Sequence, residues 1–94
     1  MIDQAMAERF AENLRAERAR ARLSQDVLAF RAEVHRTQIS QMESAQRLPR
    51  LDVAVKLATV LGIGVEALVD GIAYEPRTVM PGDYAIESPG QDDG

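Results

Sequence analysis

The sequence predicts an all-α domain that carries a short extended C-terminal tail. Apolar residues recur with the period of a helix up to about residue 72, and the polar joints between these segments are short. Beyond residue 73 the period is lost, and three of the four prolines and three of the six glycines occur there. We therefore expect a helical domain over residues 1–72 and a tail over 73–94, which is predicted to be disordered after about residue 87.

The first two helices follow from their apolar spacing and their starts. Helix 1 is predicted over about residues 4–22, with inward residues Met6, Phe10, Leu14 and Ala21. Ser24 is a natural N-cap for helix 2, because its hydroxyl accepts a hydrogen bond and Asp26 adds favourable charge in the first turn. Helix 2 is expected to end near residue 32 and to bury Val27, Leu28 and Ala32.

Helix 3 is predicted from near His35 to near Ser44, with polar residues on one face and Ile39 and Met42 on the other. Pro49 marks the boundary that follows, since proline blocks helix propagation around it.

Helices 4 and 5 complete the domain. Helix 4 is predicted over residues 51–61 with Gly62 as its C-cap, and its inward residues are Val53, Ala54, Leu57, Ala58 and Leu61. Helix 5 is predicted to start near Gly64 and to end before Gly71, and it is expected to bury Val65, Leu68 and Val69.

Charge is unevenly distributed along the chain. The net charge is −4, yet residues 15–50 hold eight arginines against four acidic residues, which gives +4. Residues 51–94 hold one lysine and one arginine against eight acidic residues, which gives −6. Because binding to phosphate depends on the local patch rather than the sum, the positive segment remains a candidate phosphate-binding surface.

Several classes of protein are excluded by composition. The chain has no cysteine, one histidine and no glycine-rich phosphate loop, so we expect no enzymatic activity, no metal site and no cofactor. No stretch approaches the roughly 20 apolar residues of a membrane span. The N-terminus lacks the features of a signal peptide. A cytoplasmic protein is predicted.

A set of short motifs, taken in order and spacing, resembles the phage-repressor and Cro-like (XRE-type) helix-turn-helix family over about residues 7–71. The motifs are Leu23-Ser24-Gln25, Leu28-Ala29, Ile39-Ser40-Gln41-Met42-Glu43, Arg47 with Pro49, Leu51 to Leu61 followed by Gly62-Ile63, and Val65 to Val69. The resemblance implies a five-helix lambda-repressor-like domain that binds double-stranded DNA.

Three positions depart from the family pattern. Arg22, Glu33 and Ala45 stand where the family often has glycine. Glycine is favoured where φ is positive, and a β-carbon there costs about 1 kcal/mol. The sequence therefore leaves the geometry of these three turns open.

By resemblance, the N-terminal end of helix 3 faces the base edges of the major groove. The implied base-reading residues are Arg36, Thr37, Gln38 and Gln41. The implied phosphate-contacting residues are Arg22, Gln25, His35, Ser40, Arg47 and Arg50. Three alternatives stay open: Arg36 touches only phosphate, His35 caps helix 3, and Arg22 and Arg50 are solvated charges.

The resemblance also implies a structural ion pair between Arg18 of helix 1 and Glu43 of helix 3. A two-fold homodimer on palindromic DNA is expected, because one such motif contacts few base pairs. The candidate dimer interface, which includes an arm that ends near residue 87, consists of Val69, Ile72, Tyr74, Val79, Tyr84 and Ile86. The alternative is that the tail folds back on its own domain.

Three functions are compatible with these features. The first is a sequence-specific transcription regulator, acting as a dimeric repressor or autoregulator on a palindromic operator. The second is an antitoxin whose acidic tail binds a toxin protein. The third is a protein-interaction module that has lost DNA binding, which the missing glycines and the acidic total charge favour.

Overall fold

A computed structural model describes residues 2–76 of the chain. These residues form five α-helices and no strand, which confirms the predicted all-α class. The helices are α1 (Gln4–Ala21), α2 (Gln25–Ala32), α3 (Arg36–Glu43), α4 (Leu51–Leu61) and α5 (Val65–Leu68). The last helix ends four residues before the predicted domain boundary, and the predicted tail from residue 77 onward lies outside the described residues.

Side-chain caps fix the starts of the first two helices. The carboxylate of Asp3 accepts a hydrogen bond from the Met6 N–H at 3.1 Å, and the hydroxyl of Ser24 accepts one from the Val27 N–H at 3.1 Å. Each bond satisfies one of the amide groups that have no partner within their own helix. The predicted N-cap at Ser24 is confirmed.

The core takes large side chains from every helix. The largest fully buried residues are Phe10, Leu14, Leu28, Ile39, Met42, Leu57 and Leu68. α3 packs against α1 and α2, and α4 packs against α1, α2 and α5. Helix α3 is therefore held between α1 and α2.

Two predictions of buried residues, for Val27 and Val69, were wrong, because both side chains are exposed. Phe30, for which no burial was predicted, is 84% accessible. α2 has only eight residues, and its contact face towards α3 and α4 is already filled by Leu28, Ala29 and Ala32. This face runs from residue 28 to residue 29, and residue 27 lies about 160° around the helix from residue 29, so Val27 points away from it.

Small residues of α1 fill part of the core that the sequence analysis did not assign. Ala7 and Ala11 are fully buried beside Phe10 and Leu14. Their short side chains let neighbouring elements approach α1 closely.

Four helices end in the same type of turn, although only one of them has glycine there. Arg22, Glu33 and Ala45 have φ values of 59°, 59° and 62°, and Gly62 has a φ of 73°. The amide of the residue after each one donates to a carbonyl five residues back: Leu23 to Arg18, Val34 to Ala29, Gln46 to Gln41 and Ile63 to Ala58. This is the bond of a Schellman C-cap. The three residues that depart from the family glycines therefore form the same turn as Gly62.

Candidate nucleic-acid interface

The exposed face of α3 carries the predicted base-reading residues. Ile39 and Met42 anchor its inner face in the core. On the other side, Arg36, Thr37 and Ser40 are exposed, whereas Gln38 and Gln41 are half-buried. The helix thus presents donors and acceptors to solvent while its backbone is fixed by packing.

One of the predicted base-reading side chains, that of Gln38, forms a capping hydrogen bond at the start of α3. His35 is the N-cap residue, and its backbone N–H donates to Oε1 of Gln38 at 3.2 Å. The carbonyl oxygen of the Gln38 side chain therefore already accepts one hydrogen bond. Its two amide N–H groups remain as donors.

Glu43, at the last position of α3, is almost fully buried and accepts three side-chain hydrogen bonds. Arg18 donates from Nε to Oε2 at 2.6 Å and from Nη2 to Oε1 at 2.9 Å. Two parallel bonds of this kind fix geometry as well as charge. Gln25 donates from Nε2 to Oε1 at 3.0 Å. The structure therefore places the two residues of the implied ion pair in direct contact.

This network joins three helices. Arg18 lies on α1 and also donates from Nη1 to the carbonyl of Leu23, which follows α1. Arg15, also on α1, donates to the backbone carbonyl of Glu43. Gln25 opens α2, and its contact with Glu43 was not anticipated, since nothing in the local sequence indicates the direction of that side chain. The end of α3 is consequently fixed to both neighbouring helices.

Burial and hydrogen bonding act in opposite directions on Glu43. Burial raises the pKa of its carboxyl group, but the hydrogen bonds from Arg18 and Gln25 and the charges of Arg18 and Arg15 outweigh burial and hold that pKa below its ordinary value. The hydrogen bond to Glu43 likewise raises the pKa of Arg18. Both groups are therefore charged at neutral pH.

We expect the acid sensitivity of the domain to depend on Glu43. A carboxyl group whose pKa is lowered by folding stabilises the folded state fully above its unfolded pKa of about 4.3, and this contribution is lost as pH falls through the folded value. Wild type should therefore exceed Glu43→Gln in stability by about 2 kcal/mol near pH 7, and the difference should shrink below about pH 4. Urea denaturation of both proteins from pH 3 to pH 7 measures it. Parallel pH curves would contradict this account.

Two of the three predicted phosphate-contacting arginines lie beside α3. Arg22 is exposed at the end of α1, and Arg50 is exposed at the N-cap of α4. Arg47 and Arg50 border the same cleft of about 340 Å³ as the predicted base-reading residue Gln38; its lining is Gln38, Met42, Arg47, Leu48, Pro49, Arg50 and Val53. The structure therefore brings two of the three arginines next to the exposed face of α3.

Arg36 has a partner that the sequence analysis did not anticipate. Its Nε lies 3.0 Å from Oδ1 of Asp26, in the first turn of α2. Asp26 had been assigned only to the start of helix 2. A contact between residues ten positions apart depends on how α2 and α3 cross, which sequence spacing alone does not give.

The candidate dimer residues divide into three groups. Val69 and Tyr74 are exposed, as an interface requires before association. Ile72 is half-buried and packs against the core. Val79, Tyr84 and Ile86 lie outside the described residues.

Side chains of α1 hold the chain where it leaves α5. Asn13 donates from Nδ2 to the carbonyls of Leu68 and Asp70, at 2.9 and 2.8 Å. Arg9 donates from Nε to the same Asp70 carbonyl at 3.2 Å. Gly71, with a φ of 79°, leaves room for Arg9, because a β-carbon there would come within 2.4 Å of Nε. The segment that leads into the predicted dimer arm is thus fixed to α1.

Two further features of the described residues bear on the kind of site. Over residues 2–76, no group of three or more histidine or acidic side chains is arranged to hold a metal ion. Within the same part of the chain, no helix combines the length and the apolar character that crossing a membrane requires.

Comparison with known proteins identifies the family. A helix-turn-helix family model matches residues 14–68, more than half of the chain. The solved restriction-modification controller protein C.AhdI from Aeromonas hydrophila is 36% identical, with a TM-score of 0.66, and the match covers 68% of this chain and 97% of that one. A hypothetical transcription factor, NHTF from Neisseria, is 27% identical, with a TM-score of 0.65 and coverage of 73% and 80%.

A more distant structure shows the fold alone. The SOS-response transcriptional repressor LexA from Eubacterium rectale is 19% identical, with a TM-score of 0.68 and coverage of 98% of this chain and 99% of that one. Comparison with curated proteins gives no significant match. Because the matched family residues run from within α1 to the end of α5 and include both helices of the motif, the chain belongs to the phage-repressor and Cro-like (XRE-type) helix-turn-helix family of DNA-binding regulators.

Proposed function

We propose that this protein is a sequence-specific transcription regulator that acts as a dimeric repressor or autoregulator on a palindromic operator. The observation that carries the proposal is the setting of α3, whose apolar face is buried while Arg36, Thr37 and Ser40 are exposed. The bidentate pair between Arg18 and Glu43 fixes the far end of the same helix. A rigid helix with a polar outer face suits insertion into the major groove.

Each side chain on this face has a distinct role in the proposal. Arg36 donates two hydrogen bonds to O6 and N7 of guanine, and Gln41 pairs with N6 and N7 of adenine. Thr37 offers its hydroxyl to a base or its methyl group to thymine. Arg47 and Arg50, beside the cleft at α3, contact phosphate and so set position rather than sequence.

The short length of α3 supports a dimer. Eight residues of helix span about 12 Å. Each base pair adds about 3.4 Å along the DNA, so one copy of α3 contacts three or four base pairs. Two copies related by a two-fold axis double the recognised sequence and require a palindrome. The exposed Val69 and Tyr74 supply apolar surface for that association.

The conformation of three turns disfavours an interaction module without DNA binding. Arg22, Glu33 and Ala45 adopt the left-handed conformation for which glycine is favoured, so the absent glycines no longer support loss of the motif's geometry. The antitoxin alternative depends on the tail, which lies outside the described residues from residue 77 onward.

Selection of bound duplexes from a random DNA pool tests the proposal. Wild type should enrich a palindrome, and an Arg36→Ala/Gln41→Ala variant should lose or change it. Two bidentate contacts together contribute about 2–6 kcal/mol of discrimination, so preference for the selected sequence should fall roughly 30-fold or more.

A matched control removes the same two residue types from outside α3. Gln4→Ala/Arg31→Ala changes one exposed glutamine on α1 and one exposed arginine on α2, and it should enrich the same palindrome as wild type. If wild type enriches nothing even at low salt, where attraction to phosphate is strongest, the regulator proposal fails and the interaction module takes its place.

A further inference from the structure

The ion pair between Arg36 and Asp26 stands at the end of α3 that faces the bases in the proposed function. Nε of Arg36 and Oδ1 of Asp26 are 3.0 Å apart, and the two side chains are 64% and 76% exposed. A pair this exposed contributes at most about 1 kcal/mol to folding. Its position on the binding face suggests a role in recognition instead.

We propose that Asp26 is a specificity-determining residue that holds the Arg36 guanidinium for a guanine edge and opposes its binding to phosphate. The inference rests on the proposed function and deepens it. Asp26 itself acts through Arg36 and is a positioning residue in this scheme.

The geometry leaves the required donors free. A guanidinium has five N–H groups, one on Nε and two on each Nη. Asp26 lies beside Nε, at the inner end of the guanidinium, so both Nη groups remain for two parallel hydrogen bonds to O6 and N7. An arginine side chain that this ion pair draws towards α2 also loses less rotamer freedom when it binds.

The charge of Asp26 acts in the same direction. A free arginine on this face would attract any phosphate, and such attraction supplies affinity without sequence preference. A carboxylate 3.0 Å away offsets that charge and repels phosphate itself. Asp26 should therefore lower affinity for DNA in general while the guanine contact of Arg36 is kept.

A second exposed ion pair between an arginine and an aspartate lies away from α3 and provides a control. Arg50 and Asp52 are 3.1 Å apart and also exposed. Asp52 is the second residue of α4, as Asp26 is the second residue of α2, so each adds the same charge to the first turn of a helix. Arg50 lies outside α3. Asp52→Asn consequently removes the same charge as Asp26→Asn, without a change at the base-facing helix.

The test compares wild type, Asp26→Asn and Asp52→Asn by selection from a random pool and by titration of a random-sequence duplex at several salt concentrations. Asp26→Asn should lose about fivefold or more of the preference for the guanine assigned to Arg36, the lower end of one bidentate contact. It should also bind the random-sequence duplex more tightly than wild type. Asp52→Asn should keep the guanine preference. In an Arg36→Ala background, Asp26→Asn should change no base preference.

Each other outcome overturns the inference. Full guanine preference in Asp26→Asn, or an equal loss in Asp52→Asn, removes the role of Asp26. A changed base preference in the Arg36→Ala background would mean that Asp26 contacts a base directly. Thermal melting of the two asparagine variants should agree, which excludes unfolding as the cause. In each of these outcomes wild type still enriches a palindrome, so the proposed function stands. If wild type enriches no sequence, both the proposed function and this inference fail.

Discussion

Replacement of Glu43 by alanine is expected to destabilise the domain by about 3 kcal/mol and to lower its melting temperature by roughly 12–24 °C. The variant leaves the guanidinium of Arg18, whose side chain is only 23% exposed, without its carboxylate partner. It also removes the acceptor of Gln25. Breaking a buried pair typically costs 3–5 kcal/mol, and the partial exposure of Arg18 places the expected value at the lower end. Thermal unfolding followed by circular dichroism measures it.

The control for this variant is Glu17→Ala. Glu17 and Arg20 both lie on α1, and Oε1 of Glu17 is 2.7 Å from Nε of Arg20, whose side chain is largely exposed. Loss of such a pair should change stability by less than about 1 kcal/mol. DNA binding should fall with stability in Glu43→Ala, since the end of α3 loses its attachment to α1. Unchanged melting with lost binding would instead assign Glu43 to the DNA surface.

Glycine at the three non-glycine turns is expected to stabilise the domain. Arg22→Gly, Glu33→Gly and Ala45→Gly each remove a β-carbon from a left-handed residue, which should contribute about 1 kcal/mol apiece. Together they should add about 2–3 kcal/mol and raise the melting temperature by roughly 10–20 °C. Urea denaturation of the single and triple variants measures both the size and the additivity of the gain.

Gly62→Ala provides the reverse experiment on the same kind of turn. Gly62 has a φ of 73°, and a β-carbon there would meet no atom within 4 Å. Any loss of stability, expected to be about 1 kcal/mol, therefore comes from the backbone alone. If glycine destabilises the other three turns, the added freedom of the unfolded chain outweighs the relieved strain. Arg22→Gly should be studied separately for DNA binding, because Arg22 is a predicted phosphate contact.

Periodicity was sufficient to predict the helices but not which way the shortest ones face. α4 begins and ends where the pattern predicted, and all five of its predicted inward residues are buried. Its eleven residues make three turns, so the apolar stripe is well defined. α2 has eight residues and apolar groups on two sides, so spacing alone did not decide between Val27 and Ala29.

The candidate site depended on information of two kinds. The family resemblance predicted the contact between Arg18 and Glu43, because the positions of the two residues match the family pattern. Two other contacts, from Gln25 to Glu43 and from Asp26 to Arg36, depend on side-chain directions set by the crossing of α2 and α3.

The left-handed turns had an indication in the sequence that does not depend on glycine. In three of the four, the residue after the left-handed one is apolar and packs against the core: Leu23, Val34 and Ile63. An apolar residue at this position is typical of the Schellman motif. The tertiary contact of that residue helps to hold the backbone in a conformation that Arg22 and Glu33 disfavour by themselves.

Helix α1 connects the end of α3 to the chain that leaves α5. Arg18 fixes the end of α3, and Arg9, nine residues earlier and about 13.5 Å along the helix, fixes the chain that leaves α5. In the proposed dimer, the distance between the two copies of α3 then depends on the length of α1 in each protomer. One extra base pair between half-sites would shift the second site by about 3.4 Å and turn it out of phase. The proposed function therefore implies that operator spacing depends on Arg9 and Arg18 of α1 as well as on the residues that face the DNA.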